Sequence, residues 1–217
     1  MEIAVEDLQP NDVYRLLIGS VVPRPIAWIT SLRGDGKINA APFSCYTFVS
    51  TVPPLVAISC GRKHGVVKDT VANSVEAGEF VLNVVSEDML APMHRSSAEF
   101  PSEISEVEAL GIAAELGRKL RTPRIAAAPV SLECRTQQVL EFGTLRTQLL
   151  IGEVVLFHVR DDCYRAGRID TAAVKPLARL GGPFYARLGE TLHMTPAAEY
   201  FHYIAGEPER SVRDRTS

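Results

Sequence analysis

The segment RPIAWITSLRGDGKINAAPFS, residues 24–44, decides the fold class. Its first part is rich in β-forming residues and starts beside two prolines, which cannot lie inside a central strand ladder. The turn GDG at residues 34–36 then separates two apolar runs, which is the pattern of a β-hairpin loop. The segment therefore predicts an antiparallel hairpin whose second strand, INAAPFSCYTFVS (38–50), is interrupted by Pro42.

Further strands are predicted on both sides of a central region. LVAISC (55–60) and EFVLNVV (79–85) precede residues 86–120, whose polar, small and acidic character predicts short helices and loops. A second β-rich block begins at Ala127, and TQLLIGEVVLFHV (147–159) predicts a long strand. Because adjacent strands are joined by turns and not by regular crossover helices, an antiparallel barrel or sandwich is favoured over a doubly wound α/β sheet.

Two helices have recognisable ends. In the first, Asp69 is expected to act as the cap, Val71 and Val75 to share one face, and Gly78 to end the helix. In the second, the motif SEVE that begins at Ser105 has the spacing of a capping box.

A basic turn separates the strand LVAISC from the first of these helices. It contains Arg62, Lys63, His64 and Lys68 within SCGRKHGVVKDT, residues 59–70. A helix N-terminus presents free N–H groups to an anion, Arg62 can bind a phosphate bidentately, and the lysines add charge. A solvated charged turn is the alternative, and the turn alone leaves the two interpretations about equal.

Composition argues against several functional classes. The chain has 26 acidic and 23 basic side chains, so no overall positive field attracts nucleic acid. The acidic N-terminus lacks the features of a secretory signal or transit peptide, and the longest apolar run, residues 149–159, is too short for a membrane helix. We therefore expect a cytoplasmic protein with no membrane segment.

Neither a metal site nor a catalytic side chain can be nominated. The four cysteines are widely spaced, without a CxxC pair, so ordinary buried thiols are expected at Cys45, Cys60, Cys134 and Cys163. The signatures of serine hydrolases, dinucleotide folds, Walker loops and zinc proteases are missing from the sequence.

Four segments carry a resemblance to a known family: PRPIAWITS (23–31), NAAPFSCYTFVSTVPP (39–54), AISCGRKHGVVKDTVAN (57–73) and LGGPFYARLG (180–189). Together they resemble the flavin reductase-like, FMN-binding split-barrel family, from about residue 17 to about residue 189. The resemblance implies a mainly β fold, a six-stranded Greek-key split barrel with added helices. We expect one domain over residues 1–217, with a flexible polar tail from about residue 206, and a homodimer that binds FMN near the subunit interface.

The resemblance also implies the residues of a flavin site. One group lines the flavin through the first strand, a second lies along the isoalloxazine edge, a third holds the ribityl phosphate, and an aromatic side chain closes over the ring. In that order they are Trp28, Ile29, Thr30 and Ser31; Asn39, Ala41, Pro42, Phe43 and Ser44; Ser59, Arg62, Lys63, Lys68 and Thr70; and Tyr185. For Trp28, plain core packing is an equally good explanation.

The activity implied by the resemblance is hydride transfer from NADH or NADPH to FMN, with reduced flavin passed to a partner oxygenase. An FMN electron carrier such as flavoredoxin, with a protein partner, and a flavin storage module are the alternatives. FMN is expected over FAD, whose adenosine would need an exit from the site. The acidic segment SSAEFPSEISEVEALGI (96–112), a candidate lid or dimer surface, does not suit the extra phosphate of NADPH and favours NADH.

Overall fold

The computed structural model describes residues 1–62 and 64–194. Seven strands form one antiparallel sheet: β1 (Ala27–Leu32), β2 (Ile38–Phe43), β3 (Tyr46–Thr51), β4 (Pro54–Cys60), β5 (Glu79–Val84), β6 (Val130–Phe142) and β7 (Thr147–Val159). Their order in the sheet is β2-β1-β5-β6-β7-β4-β3. The chain is therefore mainly β, as predicted, and the two end strands β2 and β3 do not pair with each other in the described part of the chain.

The predicted hairpin is confirmed. Ala27 pairs with Phe43 and Leu32 with Ile38, so β1 and β2 are antiparallel and in continuous register. The turn closes with a hydrogen bond from Arg33 N to the Lys37 carbonyl oxygen (2.9 Å). Gly36 has φ +87°, a conformation that glycine adopts without steric cost.

The number of strands differs from the six that the resemblance implied. INAAPFSCYTFVS was expected to form one strand, but it bends at Ser44 and Cys45 and forms two, β2 and β3. The two halves pair with different neighbours, β2 with β1 and β3 with β4. Because both halves are β-rich, the pattern of residue types does not mark the bend.

The sheet curls around one core and buries a second core on its outer side. In β1, Ala27 and Ile29 face the interior, where they join Phe43, Ile58 and Phe80. Trp28, which lies between them in the strand, points to the opposite face of the sheet, because side chains alternate across a strand. Trp28 accordingly packs in the outer core with other buried side chains, among them Ile26, Val85, Met93 and Ile125.

Five helices are described: α1 (Pro10–Ser20), α2 (Asp69–Ala77), α3 (Leu90–Arg95), α4 (Glu106–Ala109) and α5 (Thr171–Val174). Gly78 ends α2 with φ +73°, as predicted, but Lys68 holds the cap position and Asp69 is the first helical residue. Val71 is buried, whereas Val75, one helical turn later, is 58% exposed. Ser105 caps α4 and accepts a hydrogen bond from Glu108 N, which is one of the two hydrogen bonds of the predicted capping box.

Shorter elements complete the described chain. Three two-residue strands form a small sheet in the order Arg24–Pro25, Ala178–Arg179, Tyr185–Ala186. Two further pairs are Ala114–Glu115 with Arg124–Ile125 and Tyr164–Arg165 with Arg168–Ile169. Single 3-10 turns are Val5–Asp7, Glu87–Met89 and Asp161–Cys163.

The cysteines are all free thiols, and three of them are buried as expected. Cys45 is exposed, against the prediction, because it lies at the bend between β2 and β3. Burial raises the pKa of the Cys60 thiol to about 12, which disfavours its reactive thiolate form. The described residues contain no helix long and apolar enough to cross a membrane and no cluster of metal-binding side chains. The predicted tail from about residue 206 lies outside the described residues.

Candidate functional site

A cavity of about 190 Å³ lies beside the end of β2. Pro42, Phe43 and Ser44 form part of its wall, and Tyr185 forms another part. Two further wall residues come from α1, Tyr14 and Ile18. The structure thus brings together four residues that the family resemblance places around an isoalloxazine ring. The two segments that carry them are about 140 residues apart in the chain.

The edge of β2 is covered along its first half and open along its second half. Ser105 Oγ donates a hydrogen bond to the Ile38 carbonyl oxygen (2.7 Å), and the Glu106 carboxylate accepts one from Ala40 N (3.0 Å). Burial raises the pKa of the Glu106 carboxyl, and the Ala40 N–H opposes that effect. Pro42 has no N–H, so no further strand can continue the ladder there. This open edge forms one side of the cavity.

Tyr185 is held by two basic side chains. It pairs with Arg179 in the small sheet, and the Arg179 guanidinium donates to the Tyr185 hydroxyl and lies 4.5 Å from the centroid of its ring. His94 Nδ1 is 2.8 Å from the same hydroxyl. The ring of Tyr185 is therefore fixed in position before any ligand binds.

Arg24 is a site residue that the sequence analysis missed. It is only 5% exposed, and its guanidinium donates to the main-chain carbonyl oxygens of Ile18 (2.5 Å), Val21 (2.8 Å) and Leu180 (2.9 Å). These bonds fasten the end of α1 and the loop before Tyr185 to the start of β1. Its position in the sequence could have identified it, because Arg24 is a charged residue between two prolines at the start of an apolar strand.

Three predicted residues, Ser31, Asn39 and Thr70, belong to one buried hydrogen-bonded group. Asn39 Nδ2 donates to Thr70 Oγ1 (3.1 Å) and to Ser31 Oγ (3.4 Å), and Asn73 Nδ2 also lies 3.4 Å from Ser31 Oγ. All four side chains are buried. Their hydrogen bonds join β1 and β2 to the first turn of α2 and so set where the N-terminus of that helix lies.

The basic side chains of the turn have different partners in the structure. Arg62 donates to the Arg146 carbonyl oxygen (2.9 Å) and the Gly65 carbonyl oxygen (3.2 Å), and it forms an ion pair with Glu141 near the end of β6. The Lys68 ammonium lies 5.2 Å from the centroid of the Phe43 ring, and no ion pair of Lys68 is found within residues 1–62 and 64–194. Lys63 lies outside the described residues.

The remaining predicted residues are parts of the sheet. The backbone of residues 28–30 is paired with β2 on one side and β5 on the other, and Thr30 Oγ1 donates to the Pro123 carbonyl oxygen (2.6 Å). Ala41 packs against the interior core, and Ser59 N donates to the Cys45 carbonyl oxygen (2.8 Å). For these residues, contact with a flavin stays a prediction.

Comparison with known proteins matches residues 18–177 to the family described as "Flavin reductase like domain". Protein YwrF of Bacillus subtilis is 40% identical over 191 residues, which cover 85% of this chain and 93% of YwrF. The crystal structure of nitrilotriacetate monooxygenase component B from Bacillus cereus is similar with a TM-score of 0.86 and 35% identity, covering 89% of this chain and 98% of that one. 2-Nitrobenzoate 2-nitroreductase NbaA from Pseudomonas fluorescens has a TM-score of 0.83 and 34% identity, covering 90% and 96% of the two chains.

Proposed function

Because the chain belongs to the flavin reductase-like family, we propose that it binds FMN and transfers a hydride from NADH or NADPH to the bound flavin. Reduced flavin then serves a partner oxygenase, in keeping with the similarity to a monooxygenase component. The observation that carries the proposal is the open edge of β2 from Pro42 to Ser44, which faces a cavity also lined by Tyr185.

The residues at this edge fit a flavin ring. Isoalloxazine is flat and amphipathic, so it needs an apolar wall and polar backbone groups at its pyrimidine edge. Ile26, Phe43 and Met93 supply apolar surface in the cavity, and the unpaired edge at Pro42 leaves backbone groups available. The three-ring system exceeds a cavity of about 190 Å³, so part of the ring would lie outside it, at the surface or against a second copy of the chain.

The phosphate end of FMN fits the start of α2. Lys68 holds the cap position, and no side chain within residues 1–62 and 64–194 caps the first turn, so its N–H groups would be available to an anion. Phe43 connects the two ends of the site, because its ring lines the cavity and also contacts the Lys68 ammonium. Arg62 would have to leave Glu141 to contribute.

Bound FMN would supply the redox chemistry, and Pro42–Ser44 and Tyr185 would hold its ring. The side chains of this chain would bind and orient the flavin and the nicotinamide, so the hydride transfer requires no side-chain general base. Arg24 keeps the loop before Tyr185 in place, and Tyr185 forms part of the cavity wall.

Replacing Lys68 with alanine is expected to weaken FMN binding about tenfold or more, since a charge-assisted contact to the phosphate is lost. Riboflavin, which has no phosphate, should bind with nearly unchanged affinity. Fluorescence titration of both ligands measures this, and Lys119→Ala, an exposed lysine elsewhere, is the matched control. Equal weakening of FMN and riboflavin would contradict the assignment of Lys68.

Turnover is tested anaerobically by adding NADH or NADPH to the protein with excess FMN and following the loss of the visible flavin band. Bleaching over many turnovers supports a reductase, and the faster nicotinamide identifies the co-substrate. A yellow protein that dithionite reduces but neither nicotinamide does would show instead an electron carrier.

A homodimer is part of the proposal, and the edge of the sheet supports it. β3 is an edge strand, and Phe48 on it and Val52 just after it are 72% and 89% exposed. Exposed apolar side chains along an unpaired edge favour association with another chain.

We expect the protein, 23.7 kDa per chain, to sediment as a dimer. Phe48→Glu should shift it toward monomer, whereas Leu116→Glu, on an exposed loop, should not; a wild-type monomer would contradict the proposal.

A further inference from the structure

Glu141 is a carboxylate held between two arginines beside the basic turn. Its Oε1 accepts a hydrogen bond from the Arg62 guanidinium, and its Oε2 accepts one from Arg146 Nε (2.8 Å). Glu141 lies near the end of β6, and Arg146 lies in the turn between β6 and β7. The ion pair between Arg62 and Glu141 therefore connects the basic turn to the β6–β7 hairpin.

The donors of Arg62 are occupied by protein groups. Its Nε donates to the Arg146 carbonyl oxygen (2.9 Å), its Nη1 to the Gly65 carbonyl oxygen (3.2 Å) and its Nη2 to the Glu141 carboxylate. The Arg62 side chain is 14% exposed, so these contacts are partly shielded from water. Carboxylates and phosphates both fit the planar fork of a guanidinium. Glu141 is therefore in a position to compete with a phosphate for Arg62.

The pairing of the strands brings Arg62, Glu141 and Lys68 to the same end of β4. Cys60 is the last residue of β4, and it pairs with Gln148 on β7, which pairs in turn with Glu141 on β6. Residues directly opposite each other point to the same face of the sheet. Burial raises the pKa of the Cys60 thiol and the positive charge of Lys68 opposes that effect, which indicates that the ammonium is near this strand end. Arg62 follows Cys60 by two positions.

We propose that Glu141 is a positioning residue that holds Arg62 away from the phosphate of FMN and so lowers the affinity of the site for the flavin. The inference rests on the proposed function, which puts the phosphate at the start of α2 beside Lys68. Lys68 and the N–H groups of α2 hold the phosphate, and Arg62 stays with Glu141. Differences in affinity within one site appear mostly in the dissociation rate. The pair thus shortens the residence time of the flavin, which suits a site that supplies reduced flavin to a partner oxygenase.

Removing the carboxylate tests this competition. Glu141→Ala should bind FMN about tenfold more tightly than wild type, because the released guanidinium adds a charge-assisted contact to the phosphate. Its affinity for riboflavin, which has no phosphate, should stay the same. Glu141→Gln, which is uncharged but keeps an acceptor oxygen, should give a smaller gain of about threefold. Fluorescence titration of the full-length protein with both ligands measures these affinities.

Glu153→Ala is the matched control for the loss of one negative charge. Glu153 lies on the neighbouring strand β7 and accepts a hydrogen bond from Gln137 Nε2 (2.7 Å), and no arginine pairs with it in residues 1–62 and 64–194. This variant should bind FMN and riboflavin as wild type does. A gain in FMN affinity equal to that of Glu141→Ala would show a general effect of charge and overturn the proposal.

A double-mutant cycle with Arg62 shows whether the gain passes through the ion pair. Arg62→Ala alone should weaken FMN binding far less than Lys68→Ala does, because Arg62 is engaged with Glu141. In the Glu141→Ala background, Arg62→Ala should remove the whole gain of about tenfold. A merely structural role of Glu141 in the hairpin would not produce this coupling. Stopped-flow measurement should also show slower release of FMN from Glu141→Ala than from wild type.

Four further results would overturn the proposal. They are unchanged FMN affinity in both Glu141 variants, equal tightening of FMN and riboflavin, a gain that persists in the double variant, or an Arg62→Ala loss as large as that of Lys68→Ala. Glu141→Gln, which preserves the size of the side chain, carries the test if Glu141→Ala does not fold. Any of these results with a wild type that binds FMN defeats this inference alone. A wild type that binds no FMN defeats the proposed function and this inference with it.

Discussion

Replacing Glu133 with glutamine is expected to lower the free energy of unfolding by about 3 kcal/mol, because a fully buried carboxylate loses its charge among four donors. Its oxygens accept from the backbone N–H groups of Arg118 (2.6 Å), Lys119 (2.8 Å) and Leu120 (2.7 Å), and His158 Nε2 lies 2.6 Å away. A glutamine would keep one acceptor oxygen and place an NH₂ group against the remaining donors. The loop before β6 would then lose the contact that holds it to the sheet.

The same site predicts how stability depends on pH. Burial alone would raise the pKa of the Glu133 carboxyl, but the three N–H donors and His158 together lower it. A carboxyl whose pKa is lower in the folded state stabilises the fold above its unfolded pKa of about 4.3. That contribution is lost as the pH falls through the lower folded value. The difference in stability between wild type and Glu133→Gln should therefore be largest at neutral pH and shrink in acid.

Denaturant unfolding at pH 7, and at a series of values below about pH 4.3, measures both effects. Glu153→Gln is the control, since Glu153 lies on β7 and accepts a hydrogen bond from Gln137 at a partly exposed position. It should change the free energy of unfolding by no more than about 0.5 kcal/mol. If the two variants lose the same amount at pH 7, Glu133 does not have the structural role assigned here.

Replacing Gly152 with alanine should destabilise the fold by about 1–3 kcal/mol, since the interior of the barrel has no room for the added methyl group. A Cβ at Gly152 would lie 2.6 Å from Phe80 Cε1 and 3.1 Å from Cys134 Cβ, and both of these side chains are fully buried. The strand also changes register between Ile151 and Gly152, so the backbone there already departs from regular pairing.

A double-mutant cycle distinguishes the steric overlap with Phe80 from a general effect of alanine on the strand. In Phe80→Leu, the removed ring atoms include those that the new methyl group would meet, so Gly152→Ala should cost less in that background than in wild type. Gly189→Ala, at an exposed position with no heavy atom within 4 Å of the added Cβ, should be within about 0.5 kcal/mol of wild type. Strictly additive effects of the Phe80 and Gly152 changes, measured by denaturant unfolding, would contradict the overlap.

The candidate site shows where sequence analysis reaches its limit. Pro42–Ser44 and Tyr185 could be grouped only through a family resemblance, because nothing local relates segments so far apart in the chain. Arg24 escaped notice, since its role depends on carbonyl groups of α1 and of the Leu180 loop. The family resemblance implies that Arg62 and Lys68 hold one phosphate, yet Arg62 is paired with Glu141, 79 positions away.

Local features, in contrast, could be predicted from the chain itself. The hairpin of residues 24–44, the end of α2 at Gly78 and the N-cap at Ser105 all follow from neighbouring residues. The alternation along β1, the turns and the helix caps depend on residues only a few positions apart. The sequence by itself therefore determined these features. The tertiary structure alone decided that the chain bends at Ser44 and Cys45, that Glu133 anchors the loop at 118–120, and that two arginines border one cavity. Those outcomes depend on contacts between residues distant in sequence, whose partners are determined only when the sheet has closed around its core.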